Sequence, residues 1–254
     1  MRLFHINKII LLLCFPCFLF AQNKDNVPPI RRGFLFPFSY KFQIPAANLA
    51  ERFGTNFSVG SGILLKTEKN WIWGVEGSYL FGNTIRQNSL LNSYVYHSTG
   101  LIIDDGGQPA NVAFNQRGWT ATARIGKLIP LKPERKESGL LVLGGLGILQ
   151  HKLHVDTRGS SVYVLNGPYV KGIDHLSNGF SLVQQIGYLH LDKRRLINFS
   201  ISFEAYQAFT RNRRAYNFDE MGANDELRVD LLFGVRFSWI LPVYREHSNQ
   251  YFFD

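Results

Sequence analysis

Cysteine occurs only at Cys14 and Cys17, inside an apolar run near the start of the chain, and beyond residue 21 no stretch holds eighteen consecutive apolar residues. The first scarcity excludes disulfides and thiol chemistry from everything downstream. The second excludes a helical membrane span. Catalytic and metal-binding motifs at fixed spacing are missing as well. Gly144, Gly145 and Gly147 lead into neither a helix start nor a Lys-Ser/Thr pair, so they do not form a phosphate loop. His151 and His154, three positions apart, fall on opposite sides of a strand and cannot share a metal; both are expected at the rim. No cofactor is expected.

Arg2 and Lys8 precede the apolar run 9–20, and Ala21 stands before a polar stretch, the pattern of a secretory signal cleaved after Ala21. That run is too short to span a bilayer. Phe15 and Pro16 are not the small residues that a lipoprotein cleavage site at Cys17 would need. Removing Arg2 and Lys8 from the 28 basic residues leaves 26 against 19 acidic ones, a surplus of seven on the mature chain. Nucleic acid is not an expected partner for an exported chain. Lipid headgroups or acidic glycans suit such a surplus, as does a solvated surface.

The remaining pattern is period two. In residues 227–239 the alternate positions Leu227, Val229, Leu231, Phe233, Val235, Phe237 and Trp239 form an uncharged row, with Arg228, Asp230, Gly234, Arg236 and Ser238 between them. This is a strand with an apolar face and a polar face. Similar strands are predicted over 33–44, 56–66, 71–82, 117–127, 139–155, 180–191 and 196–210. Pro37 suggests an edge position or a bulge in the first. The fifth is apolar on both rows over 140–149, so periodicity alone leaves a buried helix open there.

These eight strands are joined alternately by longer and short connections, as in an all-β, eight-stranded antiparallel transmembrane barrel with long external loops and short periplasmic turns. The expected organisation is a signal at 1–21, an extended lead-in at 22–32, the barrel at 33–241 and a periplasmic tail at 242–254. With both ends periplasmic, Trp71, Trp73 and Trp239 belong to the inner aromatic girdle and Trp119 to the outer one.

A barrel of eight strands is just wide enough for side chains to fill. The inward rows carry Lys41, Glu76, Arg124, Glu204, Asp230 and Arg236, predicting structural ion pairs across a closed lumen; a narrow solute pore is the alternative. The loops contain Asp104, Asp105, Asp174, His175 and Asp219, from which a rim-site peptide or lipid hydrolase could be assembled. Asp is also a common loop residue, and no enzyme is the preferred expectation. The apolar loop 89–103 suggests either folding over the mouth or a protein partner.

The chain resembles the small outer-membrane β-barrels of the Bacteroidota, whose architecture is shared with the transmembrane domain of OmpA-like proteins. The resemblance lies in Phe20-Ala21-Gln22, in Arg52-Phe53-Gly54 through Gly60, in Asn70-Trp71 through Gly82, and in the closing strand. It implies a Gram-negative outer membrane and lipid as surroundings. It also implies a non-enzymatic structural or accessory role in an envelope assembly, as for accessory barrels of type IX secretion, with protein partners at the external loops and tail. The chain departs from the usual terminal aromatic residue by continuing past the last strand through Tyr251, Phe252 and Phe253.

Overall fold

The computed structural model describes residues 30–86, 102–192 and 197–244. The expected signal, most of loop 89–103 and the chain after residue 244 lie outside them. Eight strands follow one another: β1 Gly33–Ala47, β2 Asn56–Lys66, β3 Trp71–Gly82, β4 Ala113–Pro130, β5 Gly139–Asp156, β6 Ser177–Leu191, β7 Asn198–Asn212 and β8 Arg228–Tyr244. A single helical turn, α1 (Asn48–Arg52), follows β1. Each strand pairs antiparallel with the next, and β8 returns to β1 to close the barrel.

Side-chain parity makes the wall. On β1, Phe34, Phe38, Tyr40, Phe42 and Ile44 are exposed while Leu35, Ser39, Lys41 and Gln43 are buried. Phe34 to Ile44 is about 33 Å of strand. At a tilt of about 40° this is about 25 Å of vertical height, matching the apolar band of an outer-membrane barrel. The ambiguous fifth segment is a strand, β5, with Gly145, Gly147 and Leu149 on its inward row. A Cβ on Gly145 would come within 3.1 Å of Arg124 Cγ and 2.9 Å of Val183 Cγ1, so the bare backbone there leaves room for a large inward side chain.

Prolines are placed where the ladder is one-sided. Pro37 produces neither an edge strand nor a bulge: the β1–β2 register is the same on both sides of it, with Phe36 and Pro37 simply left out of the pairing. Pro45 lies beyond the last β1–β2 pair and Pro130 beyond the last β3–β4 pair. Pro242 lies beyond the last β7–β8 pair. Each still partners the strand on its other side. A residue without an N–H is tolerated at such positions. Pro242 therefore does not end the closing strand, and residues 242–244 belong to the barrel instead of the tail.

The interior is stratified. At the end bearing the short turns, Leu35, Leu64, Ile72, Leu128, Leu141, Leu143, Leu189, Leu191 and Ile240 form an apolar plug. A charged layer lies above it. Beyond that, Leu49 of α1 and Phe53 pack on Leu80, Leu153, Val183, Tyr206 and Leu232. Over the loop end, Ile102, Val162, Leu165 and Ile173 make a small core of their own.

Candidate functional site

Glu76, Arg124, Glu204, Arg236 and Lys41 meet in the middle of the barrel, each projecting inward from a different strand. Arg236 forks onto Glu76, with its Nη1 and Nη2 at 2.8 and 2.7 Å from the two carboxylate oxygens, and its Nη1 also lies 2.8 Å from Glu204 Oε1. Arg124 Nε is 2.7 Å from Glu76, and its Nη1 reaches Glu204. Lys41 Nζ stands 3.0 Å from Glu204 Oε2. Neutral groups complete the set: Arg124 donates to Gln185 and to the Tyr206 hydroxyl, Lys41 donates to the same hydroxyl, and Arg236 donates to Ser238. Three cations thus face two carboxylates, nearly every donor is satisfied, and all five residues are almost fully buried. A cavity of about 20 Å³ between Leu35, Leu141, Ile240, Glu76 and Arg236 has room for about one water.

Asp230 stands apart from this cluster. It faces the lumen near the loop end, where it accepts from Thr210 Oγ1 at 2.6 Å, pairs with His151 Nε2 at 2.8 Å and receives Arg52 Nη2 at 3.2 Å. His151 is therefore an interior residue and not a rim residue; its ring also meets Phe53 edge-on. Arg52 enters from α1, the turn that folds over the mouth. Burial pulls Arg52 below the ordinary arginine value, against the opposing attraction of Asp230.

A third cluster seals the turn end. Glu137, on the turn after β4, accepts from the backbone N–H and guanidinium of Arg31 and lies 3.0 Å from Lys66 Nζ, which is fully buried. The Arg31 guanidinium stacks 4.0 Å above the Tyr244 ring. Burial alone would raise the Glu137 carboxyl; the bonds from Arg31 and Lys66 hold it below the ordinary glutamate value.

Sequence reasoning overlooked Tyr206 and Lys66 and placed His151 at the rim, yet parity contained all three. Tyr206 shares a row with Glu204, Lys66 with Gly62, and His151 with Gly147. Arg52, on a helical turn, and Glu137, on a loop, had no such signal.

The four tryptophans are all exposed on the outer face. Trp71 and Trp73 sit at the turn end, Lys127 Nζ lying 5.7 Å over the Trp71 ring. Trp239 stacks on Phe38 at 5.7 Å, and Trp119 pairs across from Tyr79, nearer the loops.

The loop carboxylates are not gathered into one site. Asp104 caps the backbone N–H groups of Gly106 and Gln108, while Asp105 accepts from Ser161 Oγ and Tyr163 N. Asp174 receives a two-pronged guanidinium from Arg214. His175 Nε2 is 3.0 Å from Asp219 Oδ1. Asp174 and His175 are buried, and separate loop-to-loop clasps stand where a rim site could have been assembled. The bond to Asp174 raises Arg214 above its ordinary value; burial opposes but does not cancel the influence of His175 that lowers Asp219. Among the described residues no group of three or more His, Cys, Asp or Glu side chains could hold a metal.

The fold has counterparts among solved structures. Neisserial surface protein A aligns over 82% of this chain and 96% of its own at 10% identity, with a TM-score of 0.42. Ail, the attachment invasion locus protein of Yersinia pestis, aligns over 82% of this chain and 98% of its own at 11% identity, with a TM-score of 0.39. No family model and no curated protein matches the chain. The eight-stranded closed barrel itself is established by its strand pairing.

Proposed function

We propose that the protein is a closed, non-enzymatic barrel of a Gram-negative outer membrane that serves as a structural or accessory subunit of an envelope assembly. The observation that carries this reading is the inversion of the wall, with exposed rings of Phe, Ile, Val, Tyr and Trp outside and paired charges within. Such a wall is stable only with lipid around it. The even strand number puts both barrel ends on the side of the short turns, which is the periplasmic side in this orientation. The ionic layer and the leucine plug beneath it favour a sealed lumen over a solute pore.

An accessory role is supported by the loop end. Its small core and its Asp174–Arg214 and His175–Asp219 clasps preorganise a surface on which Tyr163, Tyr169, Tyr216 and Met221 remain exposed, aromatic and apolar groups of the kind that anchor protein partners. The resemblance to Bacteroidota barrels makes protein secretion, including type IX secretion, or outer-membrane biogenesis the setting of choice. Partners would engage the external loops and the chain after residue 244. The test is affinity purification of the tagged protein from its own membranes in mild detergent, with mass spectrometry of what accompanies it. Stoichiometric envelope proteins are expected, and a barrel that always purifies alone would overturn the accessory role.

A further inference from the structure

On the outer face near the loop end, Arg117 of β4 and Lys152 of β5 stand directly opposite one another in the ladder. Directly opposed side chains in an antiparallel pair lie about 5 Å apart at Cβ, where like charges destabilise the sheet. Among the described residues no carboxylate offsets this repulsion. Across β3, β4, β5 and β6 the only carboxylates are Glu76, which points inward, and Asp156, four residues beyond Lys152, which accepts from the Arg158 backbone N–H. Among the described residues neither Arg117 nor Lys152 has an acidic partner; Arg117 reaches only its neighbour's carbonyl, that of Gln116, at 3.4 Å. Their side chains line a cleft of about 300 Å³ together with Tyr79, Trp119, Gln150 and His154.

The cleft sits at a chemical boundary. Below it the outward rows continue as Trp119, Ala121, Ala123 and Ile125 on β4 and as Ile148 and Leu146 on β5, all apolar. Above it the outward rows continue as Asn115 on β4 and Asp156 on β5, both polar. A molecule filling the cleft therefore meets two cations and hydrogen-bond donors at one end and an apolar wall at the other. We propose that this cleft binds the phosphorylated headgroup of an outer-leaflet lipid, Arg117 and Lys152 straddling the phosphate while the acyl chains run down beside Trp119 and Ile148. Arginine supplies a fork and lysine a point charge for the phosphate oxygens, and the bound anion relieves the repulsion built into the ladder.

The inference rests on the membrane reading, so its test begins there. The full mature protein is refolded into neutral phosphatidylcholine vesicles, where a protease-resistant barrel core reports insertion. Failure to insert would overturn the membrane reading and this inference with it. The inserted protein is then extracted into neutral detergent and titrated with diphosphorylated lipid A, retained lipid being counted by native mass spectrometry. The wild type is expected to hold one lipid A. R117Q/K152Q should bind it roughly thirtyfold more weakly, at about fivefold per cation lost, while K127Q, at the turn end, should bind as the wild type does. R117E is the guard against misfolding: its new opposite-charge pair with Lys152 should leave the barrel at least as stable as the wild type while retention is lost. Equal retention by wild type and R117Q/K152Q, or inorganic phosphate competing as well as lipid A binds, would overturn the proposal while leaving the barrel in its membrane.

Discussion

Replacing Glu204 by glutamine should be among the most damaging single changes in this barrel. Glu204 is 1% exposed and lies within 3.0 Å of Lys41, 2.8 Å of Arg236 and hydrogen-bonding reach of Arg124. The substitution preserves shape but leaves three buried cations facing the single carboxylate of Glu76. Removing one partner of a buried ion pair typically costs about 3–5 kcal/mol. With three cations affected, the upper end of that range, about 5 kcal/mol, is expected. Equilibrium urea unfolding in phosphatidylcholine vesicles, followed by tryptophan fluorescence, measures it. The companion K41M/E204Q restores the native surplus of one positive charge, since Arg124 and Arg236 then share Glu76. It should recover roughly 2 kcal/mol, a coupling within the range found for residues in direct contact. A loss below about 1 kcal/mol for E204Q, or no recovery in the double variant, would refute the view that this layer is held by mutual charge compensation.

Other outcomes follow from the remaining clusters. The stability difference between wild type and E137Q should be full above the ordinary glutamate value of 4.5 and shrink as pH falls through the lower folded value, because protonation removes the same charge as the substitution; paired unfolding curves across that range check it. R214Q should release the Asp174 clasp and speed limited proteolysis within 157–176 and 213–227 without altering the protease-resistant strands. Planar-bilayer recordings of the wild type should show no discrete conductance, since the leucine plug and the ionic layer lie in series along the lumen.

The strands were readable because lipid on one side and charge on the other enforce strict alternation, clearest in β1, β7 and β8. Their loop ends were not. Ala113 to Gln116, Ser177 to Gly179 and Arg211 to Asn212 extend the ladder above the apolar band, where the rows no longer divide into an apolar and a polar face, Phe114 packing on the loop core beside polar Asn115 and Gln116, so parity carries no signal. Proline misled in both directions, as an edge position or bulge at Pro37 and a stop at Pro242, because one sequence cannot show which side of a strand lacks a partner. The inward charges were legible as a set, but their grouping was not. Asp230 belongs with Arg52, His151 and Thr210 because a helical turn after β1 folds back into the mouth, and nothing in the alternation encodes that return.

The seam between β1 and β8 joins fifteen residue pairs, from Gly33 with Tyr244 to Ala47 with Asp230, and so unites the first and last strands of the barrel. No partial chain can complete the ring. Until β8 is delivered, β1 presents an open edge and Lys41 lies far from Arg236, its register partner across the seam. Closure therefore waits on β8: seven strands must be kept from aggregating until the eighth is in place, which makes a holding chaperone a kinetic requirement of this topology.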